Sequence, residues 1–278
     1  MSLTVFFAVL FAAFLHAGWN ALVKTGANKQ TSMMVMSVGQ SLIGLVIALF
    51  RPFPEAEVWP WLIGSGLIHM AYQLFLAYAY EQGDLSRVYP LARGSAPLIV
   101  LVVGLALLPD QVSLIEYAGV SLLGLGIIFM ARGVFTSGES RKLVPFALGS
   151  ALATAGYTLV DGIGARLSGD PVTYVCWLLV LASITYVPAV VALKGATILR
   201  APLKTWAMGV VAGSASFAAY AIAVWAMTLA PIALVAALRE TSILFAVLIG
   251  WLVFGERMNA QKAIAAGLIV MGVVLTRL

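Results

Sequence analysis

The sequence predicts an all-α integral membrane protein: ten transmembrane helices, arranged as two inverted five-helix repeats around a central cavity. Three observations predict it. The 278 residues are 62% hydrophobic and 10% charged, against about 25% charged in a soluble domain, and the mean hydropathy is +1.04. The apolar residues fall into runs close to the ~20 residues that cross a bilayer core as a helix. Finally, the chain repeats itself: Tyr89–Leu98 recurs 146 residues later without a gap, so that Arg93, Gly104 and Asp110 fall on Arg239, Gly250 and Glu256.

Taken in order, the spans are 3–23, 33–50, 59–80, 85–108, 112–131, 144–166, 172–193, 205–228, 231–254 and 260–276. The first lacks a basic start and is long enough to span, so it reads as helix one and not as a cleaved signal. His16-Ala17-Gly18-Trp19-Asn20 in helix one matches Thr154-Ala155-Gly156-Tyr157-Thr158 in helix six. Trp61 and Gly64 of helix three match Trp206 and Gly209 of helix eight, and Gly119 and Gly124 match Gly267 and Gly272. The repeats are therefore 1–133 and 144–278, joined by a linker at 134–143. Five helices per copy is an odd number, so the second copy inserts upside down. Inverted repeats are a construction of secondary transporters, which bind substrate near the midplane between the halves. Eleven basic residues lie in the odd-numbered loops and three, Arg51, Arg166 and Arg277, on the opposite side. That asymmetry places the odd loops in the cytoplasm and both termini outside.

Several function classes drop out. Sixteen basic residues scattered among apolar runs form no face for nucleic acid. The single cysteine, Cys176, excludes a disulfide framework. Two histidines without a carboxylate–His cluster give no metal site. Ser65 and His69 hint at a protease but share one helix turn, and no oxyanion element accompanies them. The chain reads as no enzyme.

The candidate cavity residues are the polar ones set inside the spans. His16, Trp19 and Asn20 lie on one face of helix one, and Tyr157 and Asp161 on the matching face of helix six. Helix three repeats the pattern with His69, Tyr72 and Gln73, facing an aromatic counterpart that ends at Trp225. Tyr89 and Arg93 of helix four, with Arg239 and Glu240 of helix nine, complete the set. Each arginine lies on the order of 12 Å deep, at ~1.5 Å per residue, where an uncompensated charge is costly. Glu240 points ~100° away from Arg239 on the same helix, so the two do not pair. Three partners stay open: Glu240 with Arg93, Asp161 with either arginine, or a substrate carboxylate. Pro90 and Pro97 share one face of helix four and are hinge candidates, since each frees a backbone carbonyl.

The stretch Gly83-Asp84-Leu85-Ser86-Arg87-Val88-Tyr89-Pro90-Leu91-Ala92-Arg93-Gly94-Ser95-Ala96-Pro97, the fivefold repeat and the ending Leu252-Val253-Phe254-Gly255-Glu256-Arg257 resemble the EamA family of the drug/metabolite transporter superfamily. The resemblance covers nearly the whole chain. It implies ten helices and export of small metabolites, with amino acids, aromatic ones included, as frequent substrates, and no cofactor. It also implies cytoplasmic termini, the reverse of what the loop charges say. Ile243 stands where many members carry a proline. The expectation is an exporter of small amphipathic metabolites in a bacterial inner membrane, a monomer by preference. Its partners are a small-molecule substrate and the lipid bilayer, with no nucleic acid. Proton coupling is open, and efflux of hydrophobic drugs or passive facilitation is the alternative.

Overall fold

Several helix starts in this chain are fixed by side chains that satisfy the first free backbone N–H groups. Ser2 accepts from the Val5 amide at 3.3 Å, Asn28 from Thr31 at 3.0 Å and Asn259 from Lys262 at 2.8 Å. Ser113 and Glu116 cap each other reciprocally, as a capping box. Asp170 caps the helix that Pro171 opens. The Asn28 cap is why the second helix begins at Lys29, four residues before the predicted start: polar residues there read as loop, yet Gln30 and Ser32 are buried.

A computed structural model describes residues 1–26, 28–82, 85–131, 141–255 and 259–277. The helices are α1 (Leu3–Thr25), α2 (Lys29–Ala48), α3 (Trp59–Gln82), α4 (Leu85–Gly94), α5 (Ala96–Leu107) and α6 (Leu114–Ala131). They continue as α7 (Leu143–Ser168), α8 (Pro171–Lys194), α9 (Leu203–Leu229), α10 (Ile232–Arg239), α11 (Ser242–Phe254) and α12 (Ala260–Leu275). Among the described residues eight stretches are long and apolar enough to cross a membrane, Pro90–Leu107 and Ile232–Val253 each counted as one. Two shorter apolar helices, Leu114–Met130 and Ala260–Leu275, accompany them.

Spans four and nine, predicted as continuous helices, are each interrupted, and at equivalent positions. The first break falls at Ser95, the second at Glu240-Thr241. Pro97 explains the first, because it removes the N–H that would bond the Arg93 carbonyl. The second has no proline. There the Glu240 and Thr241 amides bond carbonyls three residues back, at 3.0 and 3.1 Å, and the Thr241 hydroxyl takes the Leu238 carbonyl at 2.7 Å. Such bonding tightens a turn out of α-helical register.

α3 packs on α7 as α1 packs on α9, and α3 on α8 as α2 on α9. α2 also meets α8, and α6 meets α12. Glycines bring backbone against backbone at several crossings. A methyl group at Gly213 of α9 would stand 2.6 Å from the Gln40 amide nitrogen and 2.9 Å from Gly39 of α2. At Gly272 of α12 it would stand 2.6 Å from the Leu123 nitrogen of α6. Small residues let membrane helices approach this closely. Large apolar side chains such as Phe7, Phe11 and Phe14 of α1 stay exposed on the outside, where a bilayer would cover them.

Ion pairs tie the connections together, and each joins segments of the same parity. Arg51, after α2, meets Asp170 at 2.8 Å. Burial alone would raise the Asp170 carboxyl, but bonds from Thr173 and Arg51 outweigh it and hold the group below its usual range. Arg166, at the end of α7, meets Asp110 at 2.7 Å and donates to the Met227 and Ala230 carbonyls. Asp110 also accepts from the Ile232 amide at 2.8 Å and so caps α10. On the odd-numbered connections Lys194 meets Glu81 at 3.2 Å and lies 4.5 Å over the Tyr78 ring.

Candidate functional site

The inward faces of α1, α2, α3, α7, α8, α9 and α10 meet around a hollow inside the bundle. Seven residues singled out in the sequence line it: His16, Trp19, His69, Tyr72, Gln73, Tyr157 and Arg239. Met36, Gln40, Leu179, Ser216 and Tyr220 line it too.

Rings build the walls. His69 of α3 stacks on Tyr157 of α7, with centroids 4.1 Å apart and an interplanar angle of 26°. Tyr72 and Tyr220 meet the Tyr157 ring edge-on at 5.3 and 5.9 Å, the arrangement that aromatic quadrupoles favour. His69 also contacts the Ser65 hydroxyl at 3.1 Å. Ser65 is fully buried inside α3, so the pair orients the imidazole and exposes no nucleophile. Across the hollow the Trp19 indole donates to His16 Nδ1 at 3.2 Å.

The two arginines differ in setting. Arg93, 0% exposed, donates from Nε and Nη2 to the two carboxylate oxygens of Glu240 at 3.1 and 2.7 Å. This is a bidentate fork. Its Nη1 donates to the Tyr157 hydroxyl at 3.2 Å. Arg93 thus stands behind the wall that Tyr157 forms and does not line the hollow. Arg239 does line it, with its guanidinium 5.3 Å over the Tyr220 ring.

Five predicted lining residues are not among those around the hollow. Arg93 and Glu240 are consumed by each other. Asn20 bonds the His16 carbonyl at 2.8 Å and accepts from the Tyr80 hydroxyl at 2.9 Å, which makes it a tie between α1 and α3. Asp161 meets neither arginine; it accepts from the Tyr174 hydroxyl at 3.0 Å and from that of Tyr220. Trp225 is half-buried against the core. It stands nine residues from Ser216, about 180° round the helix at ~100° per residue, and so on the far side of α9. The side chain of Tyr89 lies outside the described residues. Pro90 sits inside α4 and Pro97 in the first turn of α5, on either side of the break.

A second hollow of about 320 Å³ lies one helical turn further along α1, α2 and α9, bordered by Leu22, Val35 and Ala212 among others. It continues the line of Trp19, Met36 and Ser216. No group of three or more His, Cys, Asp or Glu that could hold a metal occurs among the described residues.

Comparison with known proteins agrees with this architecture. The model of the EamA-like transporter family matches residues 3–132 and again 141–278. One solved crystal structure of a protein superposes with a TM-score of 0.75 at 16% identity, covering 98% of this chain and 96% of its own. At that identity the likeness is one of fold. No curated protein matches.

Proposed function

The chain belongs to the EamA-like transporter family, a multi-pass membrane transporter and not an enzyme, and from that premise we propose that it exports small amphipathic metabolites by alternating access. Amino acids with aromatic or hydrophobic side chains come first among the substrates. The observation that carries this reading is the hollow itself: stacked rings on its walls, and two amides and a guanidinium on its lining. Rings stack on apolar and aromatic bodies, while the polar groups fix orientation. The pairing of helices also supports two inverted repeats, because exchanging the halves maps α3–α7 onto α9–α1 and α3–α8 onto α9–α2.

Transport is tested in proteoliposomes with radiolabelled L-phenylalanine, L-tryptophan and L-leucine. Uptake above protein-free liposomes is the expected result, and accumulation under an imposed proton gradient would show proton coupling. If no amino acid moves while a hydrophobic dye does, drug efflux replaces the reading. Equilibration without accumulation under any imposed gradient marks a passive facilitator.

The proposed orientation has the odd-numbered connections in the cytoplasm of a bacterial inner membrane. With Cys176→Ala as background, Glu55→Cys is expected to react with an impermeant thiol reagent on intact spheroplasts, and Thr197→Cys to resist it. Both positions are exposed, on connections of opposite parity. The reverse pattern turns the protein over and leaves the loop charges without their usual meaning.

A further inference from the structure

The two arginines occupy equivalent places in the repeats, yet only one is neutralised. Glu240, the acid next to Arg239 in sequence, spends both oxygens on Arg93. Asp161, the other acid fully buried in the bundle, is engaged by the hydroxyls of Tyr174 and Tyr220. Among the described residues no carboxylate and no hydrogen-bond acceptor contacts Arg239, which is 5% exposed and has only the Tyr220 face beneath it. A guanidinium at this depth calls for a partner or water. The hollow is where that partner can sit.

A second observation points the same way. Gln73, buried in the wall, has a side-chain oxygen with no hydrogen-bond partner. Buried acceptors are rarely left so. The hollow thus presents an unspent double donor at Arg239 and an unspent acceptor at Gln73, with the rings of His69, Tyr72 and Tyr157 alongside.

We infer that Arg239 is the carboxylate-binding residue of the cavity and Gln73 its amino-binding counterpart, so that the solute is a small zwitterion with an apolar or aromatic body. Arg93 is a positioning residue that holds Tyr157. The inference rests on the transporter reading and narrows it. The fork of Arg239 matches a carboxylate bidentately, which a lysine ammonium cannot do. The body of the solute lies against the aromatic wall.

The test is equilibrium binding by calorimetry to the purified full chain in detergent, with L-phenylalanine and L-phenylalaninol as probes. The two differ only at the carboxylate. Wild type is expected to bind L-phenylalanine at least tenfold more tightly. Arg239→Gln is expected to bring the ratio close to one, and Arg239→Lys to keep part of it. If Arg239→Gln fails to elute as a single folded species, the reduced ratio in Arg239→Lys carries the result. Equal binding of both probes by wild type overturns the inference, as does binding of neither, or a ratio that survives in both variants. Binding that obeys these expectations while proteoliposomes show no transport sinks the transporter reading and leaves the site standing. Transport of L-phenylalaninol as readily as L-phenylalanine does the reverse.

Discussion

Arg93→Ala is expected to lower stability by on the order of 3–5 kcal/mol, the cost of leaving one member of a buried ion pair behind. Glu240 would then hold a charge in a site closed to water, at 2% exposure, and Tyr157 would lose the donor to its hydroxyl. Arg93→Lys should recover only part of the loss, because an ammonium cannot serve both carboxylate oxygens and the phenol in one plane. The double variant Arg93→Met/Glu240→Leu should recover most of it, since replacing both partners by apolar residues is often neutral or better. Thermal unfolding in detergent, read by size-exclusion chromatography, orders the three variants. A wild-type melting profile for Arg93→Ala, accompanied by loss of carboxylate discrimination, would move the substrate role from Arg239 to Arg93.

Gly213→Leu is the second large effect. The atoms that a side chain would meet there are the Gln40 nitrogen, the Gly39 carbonyl carbon and the Met36 oxygen, all of them backbone. No rotamer change can clear backbone, so α2 and α9 must separate. Overpacking usually costs ~1–3 kcal/mol, and this crossing should exceed that, because α2 and α9 also carry Met36, Gln40, Ser216 and Tyr220 of the hollow. The expected result is little or no monodisperse protein. Gly64→Ala is the control: nothing lies within 4 Å of the added methyl group, and the helix gains roughly 0.5–1 kcal/mol from losing a flexible residue. Equal yields of the two variants would mean that the crossing is looser than the backbone distances indicate.

Much of this arrangement was legible in the residues, for reasons that can be named. Depth in the bilayer is a matter of counting along an apolar run, so Arg93 and Arg239 could be recognised as buried charges and Glu240 ruled out as the partner of its own neighbour. Helical spacing put His16 with Trp19, and His69 with Tyr72 and Gln73, on common faces, and those five residues share the hollow. Distances between helices are not written in spacing. Of the three partners open to the arginines, only coordinates could select Glu240 for Arg93 and assign Asp161 to two tyrosines. Tyr220 escapes the sequence reading because the aromatic counterpart of helix three ends at Trp225, on the far side of α9; the face that lines the hollow passes through Ser216, four residues before Tyr220. Its signal was an aromatic hydroxyl one turn from a serine in an otherwise apolar helix. The break at Thr241 had no proline to announce it, and only the hydroxyl that bends the backbone could have done so.

The pairing of Arg93 with Glu240 has an electrical consequence. A charge that crosses the membrane field does work of ~2.3 kcal/mol per 100 mV. Arginine and glutamate held 2.7 Å apart move as a dipole of zero net charge, so any displacement of the two broken helices that keeps them together is nearly silent to voltage. Among the described residues Arg239 has no such companion. The membrane voltage acts on that charge, and a zwitterionic solute, which would bring an ammonium along with its carboxylate, would leave the net charge of the loaded site unchanged, so that the electrical signature of this half would persist through binding.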